Sequence, residues 1–229
     1  MTYKDLRVAL DGPGGAGKST VAKAVAARAG LIYVDTGALY RTVGLFVRRR
    51  GIDMYDTDAI IACLPEIDID LTYEDGAQII KLCTEVVGDK IRTEEMSAYA
   101  SAVSKIPEVR TFLLEMQRTL ARRGGVIMDG RDIGTVIMPE AEVKVFMTAS
   151  AEERAHRRLR EQLERGIETT FEEVLENVNA RDKQDSEREI APLKPADDAV
   201  VFVNDGYTVE TSADYVIGLM DDYIKNHGV

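Results

Sequence analysis

The segment GPGGAGKS, Gly12 to Ser19, constrains this chain more than any other. It combines glycines, a lysine and a hydroxyl directly behind an apolar strand pattern, LRVAL at 6–10, and opens into the helix-forming run TVAKAVAARAG. A Gly-x-x-x-x-Gly-Lys-Ser loop between strand and helix turns backbone N–H groups inward around phosphate oxygens, and the helix N-terminus adds its dipole. Gly12, Pro13, Gly14, Gly15, Ala16, Gly17, Lys18, Ser19 and Thr20 are therefore the expected nucleotide-phosphate cradle. Lys18 is spaced to reach the outer phosphate oxygens and Ser19 to ligate magnesium. The bland alternative is a glycine-rich turn that only caps a helix.

A cradle of this kind belongs in a parallel α/β sheet, and the remaining pattern agrees. LIYV at 31–34, VIM at 126–128, VKVFM at 143–147 and VVFV at 200–203 are short apolar runs of buried-strand type. Between them lie helical stretches at 17–29, 37–50, 107–123, 151–165, 171–188 and 212–226. Ser150 three residues before Glu153, Thr170 three before Glu173, and Pro107 mark helix starts. Val109, Leu113, Met116 and Leu120 share one helix face, expected to be core. From about 56 to 100 the alternation breaks. There IDIDLT and QIIKLC flank YEDGA, a hairpin signal, so this stretch reads as a small inserted lobe.

The chain carries 40 acidic and 29 basic residues, a net charge of −11, which opposes nucleic-acid binding and anionic membrane surfaces. Any polyanion site must be local. Basic residues cluster at Arg48 to Arg50, Arg122 to Arg123 and Arg154 to Arg165, a pattern that suits a small, highly charged ligand. No stretch approaches membrane-spanning length and MTYKDLRVALDG carries charges in and before its apolar run, so a cytoplasmic protein is expected. Cys63 and Cys83 lack metal-ligand spacing and are expected to be buried thiols.

The acceptor must be sought beyond the loop, since such a cradle serves many reactions. VIMDGRDIGT puts Asp129 at a strand's carboxyl end, where it can hold magnesium through water, and follows it with Arg131 and Asp132. DTGALYR brings Asp35, Thr36 and Arg41 to the same edge, although Asp35 has an equal claim as a helix cap. A phosphate monoester has a second pKa near ~6 and is already a nucleophile at neutral pH, so its problem is repulsion, which arginine forks offset. Arg41, Arg110 and Arg131 are candidates for the acceptor phosphate. Arg154, Arg157 and Arg158 could swing over the transferring group, or merely pair with Glu161 and Glu164. In RDKQDSER at 181–188, Arg181, Asp185 and Arg188 continue the helix stripe of Val174 and Val178. Such a stripe is either an exposed ion-pair ladder or the wall of a cleft.

Taken together, DGPGGAGKST, DTGALYR, ASAVSKIPEVR, QRTLA, DGRDIGTVIMP, ASAEERAHRR and RDKQDSEREIAPLKPADDA resemble the bacterial cytidylate kinase family among the P-loop nucleoside monophosphate kinases. The resemblance runs along nearly the whole chain and is most specific in DGRDIGT and RDKQDSER. It implies an ATP- and magnesium-dependent phosphotransferase acting on CMP and dCMP, built as a single domain over 1–229 and working as a monomer. It further implies a helix-flanked five-stranded parallel sheet in the order 2-3-1-4-5, a monophosphate-binding lobe at 36–105 including a β insert at about 56–100, and a lid at 151–170. On matching positions, Ser101, Arg110, Asp132 and Arg188 would surround the cytosine, and Arg181 and Asp185 would meet the sugar. Thr36 would line the acceptor site, and Arg41 and Arg131 would take the acceptor phosphate. Lys18, Arg131, Arg154 and Arg158 would act on the transferring group, and Ser19 and Asp129 on the metal.

CTEVVGDKIR in the insert and VNDG at 203–206 depart from the family pattern. Two other readings stay open on the residues alone. One is a P-loop kinase for another monophosphate or a hydroxylated metabolite, and the other is a regulatory protein that hydrolyses nucleotide slowly without an acceptor.

Overall fold

The structure, a computed structural model, describes residues 1–74 and 77–228. In chain order its elements are β1 (Arg7–Asp11), α1 (Lys18–Ala29), β2 (Ile32–Asp35), α2 (Thr36–Arg49), α3 (Thr57–Cys63), β3 (Ile69–Glu74), β4 (Ala77–Leu82), β5 (Glu85–Val86), α4 (Glu94–Val103), α5 (Pro107–Ala121), β6 (Val126–Gly130), β7 (Val143–Thr148), α6 (Ala151–Glu164), α7 (Phe171–Glu187), β8 (Val200–Val203) and α8 (Val209–His227). The chain divides into two units, one formed by residues 1–32 and 124–229, the other by 33–123.

A parallel sheet runs in the order β2-β6-β1-β7-β8, and β1, β6, β7 and β8 lie in the first unit. Numbered along the chain, these core strands stand 2-3-1-4-5. β1 is central, paired in parallel with β6 on one side and β7 on the other. Val8, Ala9 and Leu10 are fully buried there, which is why the run is apolar throughout rather than alternating. Both β1 and β6 end on acidic residues and glycines, Asp11-Gly12 and Asp129-Gly130, so the loops that follow start together at one sheet end. α1 springs from the first of these loops and stops at Gly30, whose left-handed backbone (φ 68°) lets its N–H reach the Ala26 carbonyl.

α6 begins at the Ser150 cap, which accepts from the Glu153 N–H, and α7 at the Thr170 capping box with Glu173. The two helices share a small core of Ala155, Val174 and Val178. His156 stacks on Phe171 across it, with ring centroids 4.4 Å apart. α8 starts three residues earlier than its periodicity indicates, because Thr208 and Thr211 form a capping box that lacks the usual glutamate.

The second unit has its own core, in which α2, α4 and α5 meet the β3–β4 hairpin around Leu39, Val43, Ile60, Met96, Val103, Val109 and Leu113. The expected α5 face is buried at Val109, Leu113 and Leu120, with Met116 packed against the core edge. β3 and β4 are antiparallel, with Asp70 opposite Lys81; Asp75 and Gly76, on which the expected hairpin signal falls, lie outside the described residues. The insert is less purely β than the alternating pattern indicates. It also holds α3, capped by Asp56, and α4, capped by Thr93, and both caps accept a backbone N–H three residues on. Among the cysteines, Cys63 is buried but Cys83 is exposed, at a left-handed turn (φ 56°) between β4 and β5, so the expectation of two buried thiols fails for one.

Candidate active site

The loop from Gly12 to Gly17 takes its shape from close backbone approach. Gly12 has φ 147°, and a Cβ there would stand 1.9 Å from the Met147 carbonyl oxygen, so no side chain fits. Gly15 and Gly17 are also left-handed, at φ 80° and 84°. Lys18 is buried, and its ammonium donates to the Pro13 carbonyl at 2.7 Å, curling the side chain back into the loop. Burial holds its pKa well below the ordinary lysine range, reinforced by the Arg131 charge and opposed by Asp129, Asp11 and Asp185. Ser19 donates to the Asp129 carboxylate at 2.7 Å, so the two expected metal ligands already face each other.

Arginines roof this loop. The point where a Cβ on Gly14 would stand is 3.3 Å from Arg131 Nη2 and 3.7 Å from Arg181 Nε. The corresponding points on Gly15 and Gly17 are 3.3 Å from Arg154 Cβ and 3.7 Å from Arg157 Nη1. Arg131 donates to Asp185 at 2.9 Å. Arg188 stands 3.8 Å from Asp132, with both side chains less than a tenth exposed. Burial pushes the Asp185 carboxyl up, but Arg131, Arg181 and Arg188 more than offset this and hold it below its usual value. Asp185 shares the inner face of α7 with Val174 and Val178, and its partner is on the loop after β6. The stripe of Arg181, Asp185 and Arg188 in RDKQDSER is therefore turned inward and is not an exposed ladder.

Arg154 and Arg157 on α6 take partners other than Glu161 and Glu164. Arg154 donates to both carboxylate oxygens of Asp182, at 2.9 and 2.5 Å, and to the carbonyls of Ala149 and Gly14 at 3.0 and 3.1 Å. Arg157 donates to Glu153, to the Ala16 carbonyl at 3.2 Å and to Asn204. Arg158 is half-buried on the same helix. Asn204, within the departing VNDG segment, is buried and donates to the Ala16 carbonyl at 3.0 Å. Asp205 beside it accepts from the Ser150 N–H at 2.9 Å. Asp182 and Asn204 thus join the site although nothing in their spacing announced a role, and Asp11 supports the Asp132 loop.

The second unit carries the remaining candidates. Asp35 caps α2 by accepting from the Ala38 N–H at 2.9 Å and also binds Arg41 at 2.8 Å, so it fills the cap role and orients an arginine as well. The Nε of Arg41 is buried and has no hydrogen-bond partner among the described residues. Thr36 is buried at the first turn of α2, and Ser101 is half-buried on α4. Arg110 is buried, with its guanidinium 5.8 Å above the Tyr40 ring centroid. The clusters at 48–50 and 122–123 are different in kind. Arg48, Arg49, Arg50 and Arg122 pair with Glu95, Glu85, Glu66 and Glu115 on the surface. Of the three basic clusters in the sequence, the one on α6 is the one with arginines on the phosphate loop.

A family model described as cytidylate kinase matches residues 8–222. A protein named cytidylate kinase from Caldicellulosiruptor bescii is 46% identical over 97% of this chain and 99% of its own length. Another so named, from Bacillus licheniformis, is 45% identical over 95% of this chain and 97% of its own. Among solved structures, an uncharacterized protein from Eubacterium ventriosum shares the fold at a TM-score of 0.53 and 12% identity, over 96% of this chain and 99% of that one. Among the described residues, no helix is long and apolar enough to cross a membrane.

Proposed function

Since this chain belongs to the cytidylate kinase family, we propose that it transfers the γ-phosphoryl group of ATP to the phosphate of CMP and dCMP, yielding CDP and dCDP. The observation that carries the acceptor assignment is the set Arg131–Asp185 and Arg188–Asp132 beside the phosphate loop, in which Asp185, Arg188 and Asp132 are almost wholly withdrawn from water. A solvated ladder would have no reason to bury these charges. Asp132 suits cytosine because an acceptor-only carboxylate can take a hydrogen bond from the exocyclic amine, whereas on uracil it would face a carbonyl oxygen. Arg188, Arg110 and Ser101 complete the base contacts in this reading, Arg181 and Asp185 take the sugar, and Thr36 lines the site. Arg41 and Arg131 hold the acceptor phosphate, and the buried, unpartnered Nε of Arg41 supports its part.

The acceptor needs no general base, because its dianion is the nucleophile at neutral pH. The work of the protein is positioning and charge compensation. The loop amides and Lys18 bind the donor phosphates, while Arg131 and Arg158 face the charge of the transferring group. Arg154 has its donors taken by Asp182, Gly14 and Ala149, and its part is to fix the loop carbonyls. Ser19 and Asp129 form an oxygen-only pair, a donor set that fits a hard cation such as magnesium. When bound there, magnesium would neutralise charge on the β- and γ-phosphates.

A panel of nucleoside monophosphates offered with ATP and magnesium tests the proposal. CMP and dCMP should be turned over well ahead of UMP and AMP, and Asp132→Asn should narrow the CMP-over-UMP preference in kcat/KM by about 1–3 kcal/mol. Phosphate release independent of CMP would instead support a nucleotide-dependent regulator.

A further inference from the structure

We infer that Asp11 is a positioning residue for base selection, capping the turn after β6 so that the Asp132 carboxylate stays turned toward Arg188. The inference rests on the reading of Asp132 as a base contact.

The chain after β6 folds into a π-helical turn, Ile133–Ile137. The Asp132 carbonyl accepts from the N–H groups of Val136 and Ile137 at 2.9 and 3.3 Å, so Asp132 holds the N-cap position of that turn. An aspartate at an N-cap ordinarily folds its own carboxylate onto the first free N–H groups of the turn. Asp132 does not: its side chain makes no capping bond, its backbone sits at φ −146°, ψ 27°, and its carboxylate faces Arg188. The vacant duty falls to Asp11, 121 positions earlier in the chain at the end of β1. Its Oδ1 accepts from the Ile133 N–H at 2.8 Å and its Oδ2 from the Gly134 N–H at 2.7 Å. Both oxygens are used, one on each orphan donor, and the residue is buried.

The register explains how this is possible. Asp11 lies opposite Gly130 in the parallel β1–β6 pair, so its side chain leaves the sheet end beside the departing loop. The backbone of Asp11 meanwhile leads directly into Gly12 and the phosphate cradle. One residue thereby fixes the spacing between the start of the donor loop and the start of the Arg131-Asp132 loop. Without it, Asp132 is the nearest carboxylate able to satisfy the Ile133 and Gly134 donors, and satisfying them would turn it away from the base.

Asp11→Asn tests this, since an amide offers one acceptor and turns its NH₂ donor on the other N–H group. We expect kcat/KM for CMP to fall about tenfold or more, chiefly through KM, and the CMP-over-UMP ratio to narrow. ATP affinity by calorimetry should stay within about twofold, because the cradle keeps its own groups. Placed on Asp132→Asn, the change should narrow the ratio little further, as befits a residue acting through Asp132. An unchanged ratio in Asp11→Asn, where Asp132→Asn does narrow it, would overturn the inference and leave the cytidylate reading standing. If Asp132→Asn itself leaves the ratio unchanged, the base assignment fails and the inference falls with it. Asp11→Ser, shorter and with one acceptor, gives a second measurement. Parallel loss of ATP affinity in both variants, or failure of both to fold, would mark Asp11 as general support for the fold and also overturn the inference.

Discussion

Lys18 and Asp11 are ionisable side chains held at about one-twentieth exposure, where burial works against the charged form of each. For Lys18 this predicts opposite effects on activity and stability. Lys18→Met should slow phosphoryl transfer about a thousandfold or more, since it removes a charge aimed at the transferring oxygens. The unfolding midpoint of the nucleotide-free protein should hold or rise, because a desolvated ammonium has gone; a large drop would show that Lys18 also supports the fold. For Asp11 the effect is read by pH. Burial raises its pKa from 3.8 to about 6 despite the two backbone hydrogen bonds. The folded state therefore holds this proton more tightly than the unfolded one, so the stability Asp11 contributes is full below pH 4 and is lost as pH rises through 6. Urea unfolding between pH 4 and 7.5 should show Asp11→Asn gaining on the wild type by about 2 kcal/mol as pH rises. A pH-independent difference would mean that the carboxylate is not destabilised by burial. The positions of Lys18, Ser19 and Asp129 were legible in the sequence because they follow from short spacings beside a strand. Asp11, Asp182 and Asn204 were not, because each acts on a group far along the chain: 122 residues for Asp11 to Ile133, 28 for Asp182 to Arg154 and 188 for Asn204 to Ala16.

At the scale of elements, periodicity and caps were sufficient guides wherever a helix buries one stripe. α5, α6 and α7 fall within two residues of their expected ends, since Pro107, Ser150 and Thr170 fix their starts and a stripe of apolar residues fixes their length. α3 and α4 were obscured by the alternating residues around them. They are short, and their helicity comes from an Asp or Thr cap and from packing against α2 rather than from an amphipathic run. The expected stripe of α7 is correct, yet its most consequential ion pair lies one position off it. Asp182 binds Arg154 with both oxygens, and Arg154 also holds Gly14 and Ala149, so α6, α7 and the phosphate loop share one guanidinium. Asp182→Asn should leave that guanidinium, 5% exposed, without its counter-ion, and should cost about 2 kcal/mol in urea unfolding. Arg154→Met alone should cost a similar amount, and the double variant should lose clearly less than the sum, because the second change removes a charge already stranded by the first. Additive losses would show that Arg154 and Asp182 stabilise the helices separately.

Over the whole molecule, several exposed arginines pair with carboxylates, while those around the phosphate loop and Asp132 are partly or almost wholly withdrawn from water. Arg48 and Glu95 are about half exposed and Arg122 and Glu115 about two-thirds, the class of pair that contributes little and is screened by salt. Arg154, Arg188 and Asp185 keep a tenth or less of their side-chain surface in water, where salt reaches them poorly. The chain as a whole carries a net charge of −11, which repels a nucleotide dianion over a Debye length of about 10 Å at 0.1 M salt. These two facts set the ionic-strength dependence of catalysis. A protein that captures anions with an exposed basic patch loses affinity steeply as salt rises. Here added salt first screens the repulsion of the acidic surface and only then weakens the buried grip. Between about 10 and 150 mM monovalent salt at fixed free magnesium, kcat/KM for CMP should therefore change by less than about threefold, with a flat or slightly rising start. Neutralising the surface pairs, as in Arg48→Gln with Glu95→Gln, should leave that profile in place. A steady fall of tenfold or more across the same range would show that exposed cations capture the acceptor, and would move the first contact of CMP from the buried arginines to the surface.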